Sequence, residues 1–397
     1  MPSLKLLADD LTGALDTAAE FVGLFGPLDV LWSAASIPPD QDRFSIDSGT
    51  RERTPGEAFD IVRQLAPLLA GADVAYKKID SLSRGPWVAE LDACLRSGLW
   101  DACLVAPAFP HQGRRTRAGL QYALDHDGCW SAVGQNIIAQ LRERGLEARL
   151  ERFPAKWTPV RVKKTRQNKK LEPRSDSIGT EKALGDPSAG LAPGITVFDA
   201  ESDDDLDRIV QIGRRYMGRL LWCGSGGLAS ALARGTDVSA STILKRPVLG
   251  VFGSDHPSTS AQLAACDGIM VRTADVRRDL DRIRRRLDDG IALVKLETLD
   301  AVSRAEAAQH FAAEIMHLGP SLDPPGTLLI AGGETLKALS VAVGANALQV
   351  SGRLEPGVPR SVIKGGPWAG IDVISKSGAF GPPDLWWKLL SRNGFEF

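Results

Sequence analysis

Short apolar runs that end in a polar or glycine-rich turn and continue into a helix recur along this chain. The first runs from Leu4 to Ala8, ends at Asp9 and Asp10, and continues into a pattern with apolar residues on one helical face. Alternating strands and helices of this kind predict an α/β fold built on largely parallel sheets. In such sheets ligands bind beyond the carboxyl ends of the strands, so the pattern also predicts where a site lies.

The length of the chain predicts two domains. A single core rarely grows beyond roughly 250–300 residues, and this chain has 397. The polar stretch from Thr236 to Lys245 interrupts the alternation of strands and helices, which is typical of a linker. We therefore expect two α/β domains, residues 1–240 and 245–397, with the active-site cleft between them.

The charge balance and the cysteines argue against several classes of protein. Lysine and arginine number 48 against 49 aspartates and glutamates, so no global field attracts nucleic acid or a membrane surface. No apolar run approaches the roughly 18 residues of a transmembrane helix, and the N-terminus lacks the pattern of a signal peptide. The five cysteines are scattered, which predicts neither a disulfide framework nor a zinc site. We expect a cytoplasmic protein with no membrane partner.

Asp9 and Asp10 are the candidate catalytic residues. Acidic side chains at a turn from strand to helix can orient a substrate hydroxyl, take its proton, or hold Mg²⁺. They can equally do no more than cap the helix that follows, since Asp is a common N-cap. This stretch alone leaves catalysis and capping open.

Two further polar segments follow strands of the first domain. Arg51 comes just after a strand that ends at Asp47, and its guanidinium could grip a carboxylate bidentately or simply face solvent. The strand from Val74 runs into lysine, aspartate, serine and arginine, which suits a small anionic, hydroxylated ligand better than a solvated loop. The candidate substrate-binding residues are Asp9, Arg51, Lys78, Asp80, Ser81, Leu82, Ser83 and Arg84.

Three strands of the second domain end in turns that combine glycine with hydroxyl side chains, at 253–259, 332–335 and 376–381. Glycine lets backbone approach a phosphate, and the start of the next helix favours an anion. Each turn alone is a weak signal, but three in one domain indicate a nucleotide. No P-loop or kinase-type glycine motif occurs. The candidate nucleotide-binding residues are Ser254, Gly332, Gly333, Glu334, Thr335, Lys376 and Gly378.

The stretch 161–170 is strongly basic and follows an expected helix from Ser131 to Arg144. A basic tract can bind nucleic acid. No aromatic residue interleaves this one, so it offers no platform on which bases could stack. A surface excursion that is dispensable for activity is the favoured interpretation, and a nucleic-acid partner is the alternative.

Taken together, these segments resemble the four-carbon acid sugar kinase family. The family's opening Ala-Asp-Asp-x-Thr-Gly-Ala and Lys-x-Asp-Ser…Arg-Gly motifs have matches in the first domain, as does its Pro-Ala-Phe-Pro…Gly-Arg loop. Its Gly-Gly-Glu/Asp-Thr and Lys-Ser-Gly-x-Phe-Gly turns have matches in the second. The matching segments, in chain order, are Ala8–Ala14, Lys78–Gly85, Pro107–Arg114, Gly332–Thr335, Pro356–Pro359, Gly365–Pro367 and Lys376–Gly381. The chain departs from the family at Leu82-Ser83, usually Thr-Leu, and at Arg115, usually Thr.

The resemblance implies an ATP-dependent kinase that phosphorylates the terminal hydroxyl of a tetronate or 3-oxo-tetronate, with Mg²⁺ bridging the phosphates. It implies that Asp9, Arg51 and the stretch 80–84 contact the sugar acid, and that Ser254, residues 332–335 and Gly378 contact ATP. A nucleotide-dependent regulator that binds a sugar acid without turnover is the alternative in another class. The sequence leaves the oligomeric state open, a homodimer included.

Overall fold

The computed structural model describes residues 2–125, 127–153, 191–216, 218–253, 256–298 and 303–396. It is an α/β protein of two domains, which confirms the predicted fold class. The basic stretch 161–170 and Ser254 lie outside the described residues.

The first domain alternates strands and helices from its first residues. Its strands are β1 (Leu4–Ala8), β2 (Leu28–Leu31), β3 (Arg43–Asp47), β4 (Val74–Lys78), β5 (Ala102–Ala106), β6 (Arg114–Arg117), β7 (Leu120–Leu124), β8 (Trp130–Val133), β9 (Ala148–Glu151), β10 (Gly194–Phe198) and β11 (Leu220–Gly224). Its helices are α1 (Leu11–Phe25), α2 (Pro55–Leu65), α3 (Trp87–Leu95), α4 (Ile137–Glu143), α5 (Asp203–Arg214) and α6 (Gly226–Leu232).

The second domain begins with a fully buried strand and ends with a helix. Its strands are β12 (Val248–Phe252), β13 (Met270–Thr273), β14 (Ile291–Leu296), β15 (Thr327–Ala331), β16 (Ala347–Glu355), β17 (Val358–Lys364) and β18 (Asp372–Lys376). Its helices are α7 (Pro257–Ala264), α8 (Val276–Asp288), α9 (Arg304–Leu318), α10 (Gly333–Ala342) and α11 (Leu385–Arg392).

The strands of the two domains join in one sheet. Its order is β13-β14-β12-β15-β18-β17-β16-β2-β3-β1-β4-β11-β5-β10-β9. The first-domain half is parallel throughout, and β13-β14-β12-β15-β18 is parallel as well. The junction is antiparallel, because β2 pairs with the hairpin arm β16 along residues 28–31 and 347–350. This join was not evident from the sequence, since it depends on which edge strands meet.

The antiparallel junction makes the strands of the first domain run opposite to β15 of the second. Even so, helix α1, which follows β1, meets helix α10, which follows β15. Six pairings separate β1 from β15 in the sheet order. A twist of roughly 20–25° per strand accumulates to roughly 120–150° over six steps, which offsets most of the reversal. A twist of this size is sufficient to turn the carboxyl ends of β1 and β15 toward each other.

A separate three-stranded antiparallel sheet, β6-β7-β8, replaces part of the expected helix 131–144. That prediction was wrong at its start, because Trp130–Val133 pairs with Leu120–Leu124 instead. Gly134 then takes a left-handed φ of 68°, and the Asn136 side chain accepts from the backbone N–H groups of Ile138 and Ala139. The helix therefore begins at Ile137, where this cap allows it to begin.

Helix α1 lies at the centre of the molecule and positions the site. Asp10 caps its start, and Gly26 ends it with a left-handed φ of 77°. Most of its apolar residues are buried, Leu15, Ala18 and Phe21 among them, and the helix packs against β16 of the second domain as well as its own strands. Across the described ranges, no helix is long and apolar enough to cross a membrane.

Candidate active site at the domain junction

The carboxyl ends of three adjacent strands bring the predicted first-domain residues together. β1 lies between β3 and β4 in the sheet. Asp9 and Asp10 follow β1, Arg51 follows β3, and the 80–84 turn follows β4. These residues therefore lie at one edge of the sheet, as expected for residues that follow the carboxyl ends of adjacent parallel strands.

Arg51 is the centre of this arrangement. Its Nε and Nη2 donate to the two oxygens of Asp9 at 2.9 and 2.8 Å, and its Nη1 donates to Asp10 Oδ2 at 2.5 Å. Asp80 Oδ1 lies 3.8 Å from Nη2. Burial opposes ionisation of Asp9, which is 1% exposed, but the Arg51 charge and hydrogen bonds outweigh it and hold the pKa of Asp9 below its usual range. Arg51 and Asp9 thus form a buried, bidentate ion pair.

Asp10 performs the capping role that the sequence left open. Its Oδ1 accepts from the Gly13 N–H at 2.8 Å, and its Oδ2 accepts from Thr12 Oγ1 at 2.8 Å. The same Oδ2 accepts from Arg51. Capping and contact with the cationic cluster are therefore combined in one carboxylate, which is 14% exposed at its side chain.

Lys78 lies over the first turn of α1, where only glycine leaves room for it. A Cβ atom on Gly13 would lie 2.9 Å from Lys78 Nζ and 2.5 Å from Asp10 Oδ1. The neighbouring Lys77 forms a wholly buried ion pair with Glu90, at 2.7 Å. Since successive strand residues point to opposite faces, Lys78 is the lysine of β4 that lies beside Asp10 and the start of α1.

The 80–84 turn is built around the Asp80 carboxylate. Asp80 accepts from the backbone of Leu82 at 2.9 Å and from the Arg84 guanidinium at 2.9 and 2.6 Å. Burial opposes ionisation, but the hydrogen bond and charge of Arg84, with Arg51 and Lys78, lower the pKa of Asp80 well below its usual value. Ser81 and Ser83 complete the turn through backbone bonds, and Ser83 has a left-handed φ of 56°.

The glycine turns of the second domain adjoin one another. β12, β15 and β18 are neighbours in the sheet, so their carboxyl ends lie side by side. A Cβ atom on Gly253 would lie 2.7 Å from Thr335 Oγ1, and Thr259 Oγ1 donates to Gly378 O at 2.8 Å. These contacts connect the described parts of all three turns.

Lys376 is buried beneath the last of these turns. Its Nζ donates to the carbonyls of Ser377 and Gly378 at 3.0 and 3.1 Å and to Thr259 Oγ1 at 3.3 Å. Burial lowers the pKa of Lys376 to about 7. Its Nζ therefore holds the turn by donating to backbone oxygens.

The two domains meet where α1 and α10 begin. A Cβ atom on Gly333 would lie 3.3 to 3.5 Å from atoms of Thr12, so the first turns of the two helices face each other. Lys337, one turn further along α10, donates to Asp47 Oδ2 at 2.8 Å across the junction. Burial, opposed by Lys337, raises the pKa of Asp47. The Gly332–Thr335 turn therefore lies against the first-domain cluster.

Sequence reasoning missed three residues that hold this site together, Glu90, Gln121 and Lys337, and matched Arg114 only as the end of a family motif. Lys337 carried a usable signal, because it follows Gly333 by four residues and so shares its helix face. Gln121 donates to Ser81 O at 2.7 Å and connects β7 to the 80–84 turn. In the described part of the chain, no group of three or more His, Cys, Asp or Glu side chains is arranged to hold a metal ion.

A separate cavity of about 570 Å³ lies at the opposite edge of the first-domain sheet. It is lined by Asp73 and Val74 at the start of β4, by Leu220 at the start of β11, and by Phe21 and Leu24 near the end of α1. Its strand ends are the amino ends, whereas the motif residues follow carboxyl ends. The polar cluster described above, rather than this cavity, is therefore the candidate active site.

Comparisons with known proteins match both halves of the chain. The model of a sugar-binding N-terminal domain matches residues 4–232, and the model of a nucleotide-binding C-terminal domain matches residues 249–385. The chain is 28% identical to a D-threonate kinase of Bordetella bronchiseptica, over 97% of this chain and 96% of that protein. It is 24% identical to a 3-oxo-tetronate kinase of Pseudomonas savastanoi pv. phaseolicola, over 98% of this chain and 97% of that protein.

Solved structures share the fold. A Haemophilus influenzae protein has a TM-score of 0.68 at 18% identity, covering 98% of this chain and 100% of that one. A Salmonella typhimurium LT2 protein has a TM-score of 0.69 at 18% identity and covers 100% of both chains. These two likenesses concern the fold alone. The two domain models, together with relatives that match nearly the full length, show that the chain belongs to the four-carbon acid sugar kinase family.

Proposed function

We propose that the protein is an ATP-dependent kinase that phosphorylates the terminal (4-) hydroxyl of a four-carbon sugar acid, a tetronate or 3-oxo-tetronate. The observation that carries the proposal is the contact between the first turns of α1 and α10, at Thr12 and Gly333. One turn belongs to the part that matches a sugar-binding domain and the other to the part that matches a nucleotide-binding domain. Phosphoryl transfer needs donor and acceptor to meet at such a junction.

The electrostatics of this junction suit a phosphoryl group in transfer. Each helix N-terminus carries roughly half a positive charge, so two that meet favour an anion beside their contact. Lys78 adds an ammonium group over the first turn of α1, and Arg51 lies beside it. Fixed positive groups that already surround the transferring group stabilise its charge without reorganisation. The proposed catalytic contribution is therefore positioning and charge neutralisation.

We assign the sugar acid to the first domain, residues 1–240, and ATP to the second, residues 245–397. Asp80 and Arg84 would read the hydroxyl groups, while Asp10 is the more accessible of the two candidate bases for the reacting hydroxyl. Ser254 and residues 332–335 would hold the phosphates through backbone N–H and hydroxyl groups. The five cysteines are free, as is typical of proteins from a reducing cytoplasm, where we place the protein.

Glu334 fits the Mg²⁺ ion that would accompany ATP. Among the described residues no cation lies within 4 Å of its carboxylate, and partial desolvation, opposed by Lys337 and assisted by the charges of Asp47 and Asp10, raises its pKa. Mg²⁺ usually takes one or two protein carboxylates and completes its shell with phosphate oxygens and water. Glu334 would therefore hold the ion from the α10 side, and the bound ion would neutralise phosphate charge.

An assay of ADP release with a panel of tetronate and 3-oxo-tetronate isomers tests the proposal. We expect ADP release to depend on at least one four-carbon acid, and phosphorus NMR of the product to show a phosphate ester on the terminal carbon. Binding of a sugar acid and nucleotide without ADP release would instead indicate a regulator. Steep salt-dependent binding to RNA or DNA, with no binding of the acids, would indicate a nucleic-acid protein.

A further inference from the structure

The first-domain side of the cleft holds several cations, and most of them already have a carboxylate partner. Arg51 is paired with Asp9 and Asp10, and Arg84 is paired bidentately with Asp80. An arginine paired in this way has fewer free N–H groups with which to bind an incoming anion. The question is which cation of this wall remains available for the carboxylate of an acid substrate.

Arg114, the first residue of β6, lacks such a partner. Within the described ranges no carboxylate lies within 4 Å of it, and Nη1 donates only to the carbonyl of Gly113, at 3.0 Å. Its side chain is half-buried. Burial lowers the pKa of Arg114, and the charge of Arg84 lowers it further, against the opposing effect of Asp80. A half-buried guanidinium beside another cation is unfavourable until an anion binds it.

The position of Arg114 is fixed by its surroundings. Its backbone N–H donates to Phe109 O at 3.0 Å, and its carbonyl accepts from the Phe109 N–H at 2.9 Å. Gly113 precedes it with a left-handed φ of 65°, which L side chains rarely adopt. The backbone that carries the side chain is therefore held in a closed loop, which lowers the cost of ordering it when a ligand binds.

The loop of Arg114 and the 80–84 turn share one wall of the cleft. The Gln121 side chain donates to Ser81 O at 2.7 Å and accepts from Thr116 Oγ1 at 2.7 Å. The negative charge of Asp80 acts on both Arg51 and Arg114 and favours the charged form of each. A short acid lying along Asp80 would have one end near Arg51, at the helix junction, and the other near Arg114.

We propose that Arg114 binds the carboxylate of the sugar-acid substrate and makes the enzyme select acids over the matching neutral polyols. The planar guanidinium fork matches a carboxylate with two parallel hydrogen bonds. This inference rests on the proposed kinase function, and it adds the residue that recognises the acid end. The reacting hydroxyl then lies at the opposite end of the substrate, beside Asp10 and Lys78.

The test compares Arg114→Gln and Arg114→Lys with Arg117→Gln as a matched control. Arg117 lies on the same strand, is exposed, and is paired with Glu201 away from the wall. For Arg114→Gln we expect the KM of the best tetronate to rise on the order of 10²-fold, the scale of a charge-assisted bidentate contact. The KM of ATP should stay within about twofold, since the substitution removes no contact to ATP. Arg114→Lys should lose about tenfold, because it keeps the charge but not the fork.

The preference for acid over alcohol is the decisive readout. The ratio of kcat/KM for the tetronate to that for the corresponding tetritol should fall in Arg114→Gln and stay constant in Arg117→Gln. If Arg114→Gln loses equally on both acceptors, the ratio is unchanged and the proposal is overturned.

Calorimetric titration of the nucleotide-free protein with the tetronate separates this inference from the kinase proposal. If the wild-type protein binds the acid but transfers no phosphoryl group, the kinase proposal fails while the role of Arg114 is still measured. Weaker binding by Arg114→Lys, whose charge is retained, supports the inference even if Arg114→Gln folds poorly. Equal binding by the wild-type protein and Arg114→Lys, or no binding of the acid by the wild-type protein, overturns it.

Discussion

Replacing Asp9 and Asp10 one at a time by Asn separates their structural and chemical roles. Both substitutions keep the shape of the side chain and remove its charge. At Asp9, the amide would face a guanidinium that now bonds both carboxylate oxygens in a 1%-exposed position. At Asp10, the remaining carbonyl oxygen can still accept from the Gly13 N–H, because Asn caps about as well as Asp.

The structure sets the expected magnitudes. Removing one partner of a buried ion pair costs about 3–5 kcal/mol of unfolding free energy. Arg51 would keep Asp10 and would still have Asp80 at 3.8 Å. We therefore expect Asp9→Asn to cost about 2–3 kcal/mol, below the full range. Asp10→Asn, which keeps its cap, should cost about 1 kcal/mol, the usual value of one hydrogen bond.

Turnover should show the opposite order. If Asp10 takes the proton of the reacting hydroxyl, Asp10→Asn loses roughly 10²–10⁴-fold in kcat, the usual scale of general-base catalysis. Its KM for ATP should be unchanged, since the second-domain turns are untouched. Urea unfolding followed by circular dichroism gives the stabilities, and steady-state kinetics gives the rates. If both variants keep wild-type kcat and KM, the acidic pair is structural and the placement of the active site is wrong.

Three further predictions follow from single contacts. Gly333→Val should raise the KM for ATP about tenfold in a folded protein, because its side chain would crowd Thr12 where backbone must approach phosphate; unchanged ATP kinetics would contradict this. Lys337→Met should lower the free energy of unfolding by about 2–4 kcal/mol at pH 8, because it leaves the buried Asp47 carboxylate unpaired. The loss should be smaller near pH 5, where protonation of Asp47, whose pKa is raised, removes that buried charge. Equal losses at both pH values would contradict the pairing. Burial raises the pKa of Asp16 from 3.8 to about 7, so the folded state binds its proton more tightly and wild-type stability falls as pH rises through that window. Asp16→Asn should remove this slope and gain at most about 4 kcal/mol above pH 7 in thermal or urea unfolding, and a slope retained in the variant would contradict the assignment.

The sequence predicted those parts of the fold that carry an apolar run. β1, β12 and β15 are buried parallel strands, and each stands out as a short, mostly apolar run followed by a polar turn. The strand-end rule then placed Asp9, Arg51 and Asp80 at one edge without any knowledge of their contacts. Local sequence was sufficient here because burial on both faces leaves a continuous apolar signature.

The antiparallel strands were missed because they have no such signature. β6 consists of four polar residues, Arg114–Arg117, and β8 is exposed or half-exposed throughout. Their stability comes from pairing across the sheet, which depends on partners elsewhere in the chain. The pairing of β2 with β16, which joins the domains, likewise depends on a partner far along the chain, although β2 itself is a buried, mostly apolar strand. A reading of local periodicity therefore gave a helix at 131–144 where the chain forms a strand, a turn and a shorter helix.

Pairing also decides which of the predicted site residues are free to act. The sequence presented Arg51, Lys78 and Arg84 as equivalent cations, and only the contacts show that two of them already hold carboxylates. It gave no reason to connect Lys337 with Asp47, which lie 290 residues apart. Side-chain chemistry can be read from a sequence, but the partner that neutralises it is a property of the tertiary structure.

The balance of charge in the cleft explains how such a site can be assembled before its ligands arrive. Four cations, Arg51, Lys78, Arg84 and Arg114, accompany three carboxylates, Asp9, Asp10 and Asp80. The carboxylates neutralise most of the buried positive charge, which would otherwise oppose folding. Among the described residues, neither Lys78 at the helix junction nor Arg114 further along the same wall has a carboxylate within 4 Å, so the remaining positive charge lies at these two places. An acid substrate would meet positive charge at both ends while its hydroxyl groups face Asp80, which favours one orientation of the substrate over its reverse.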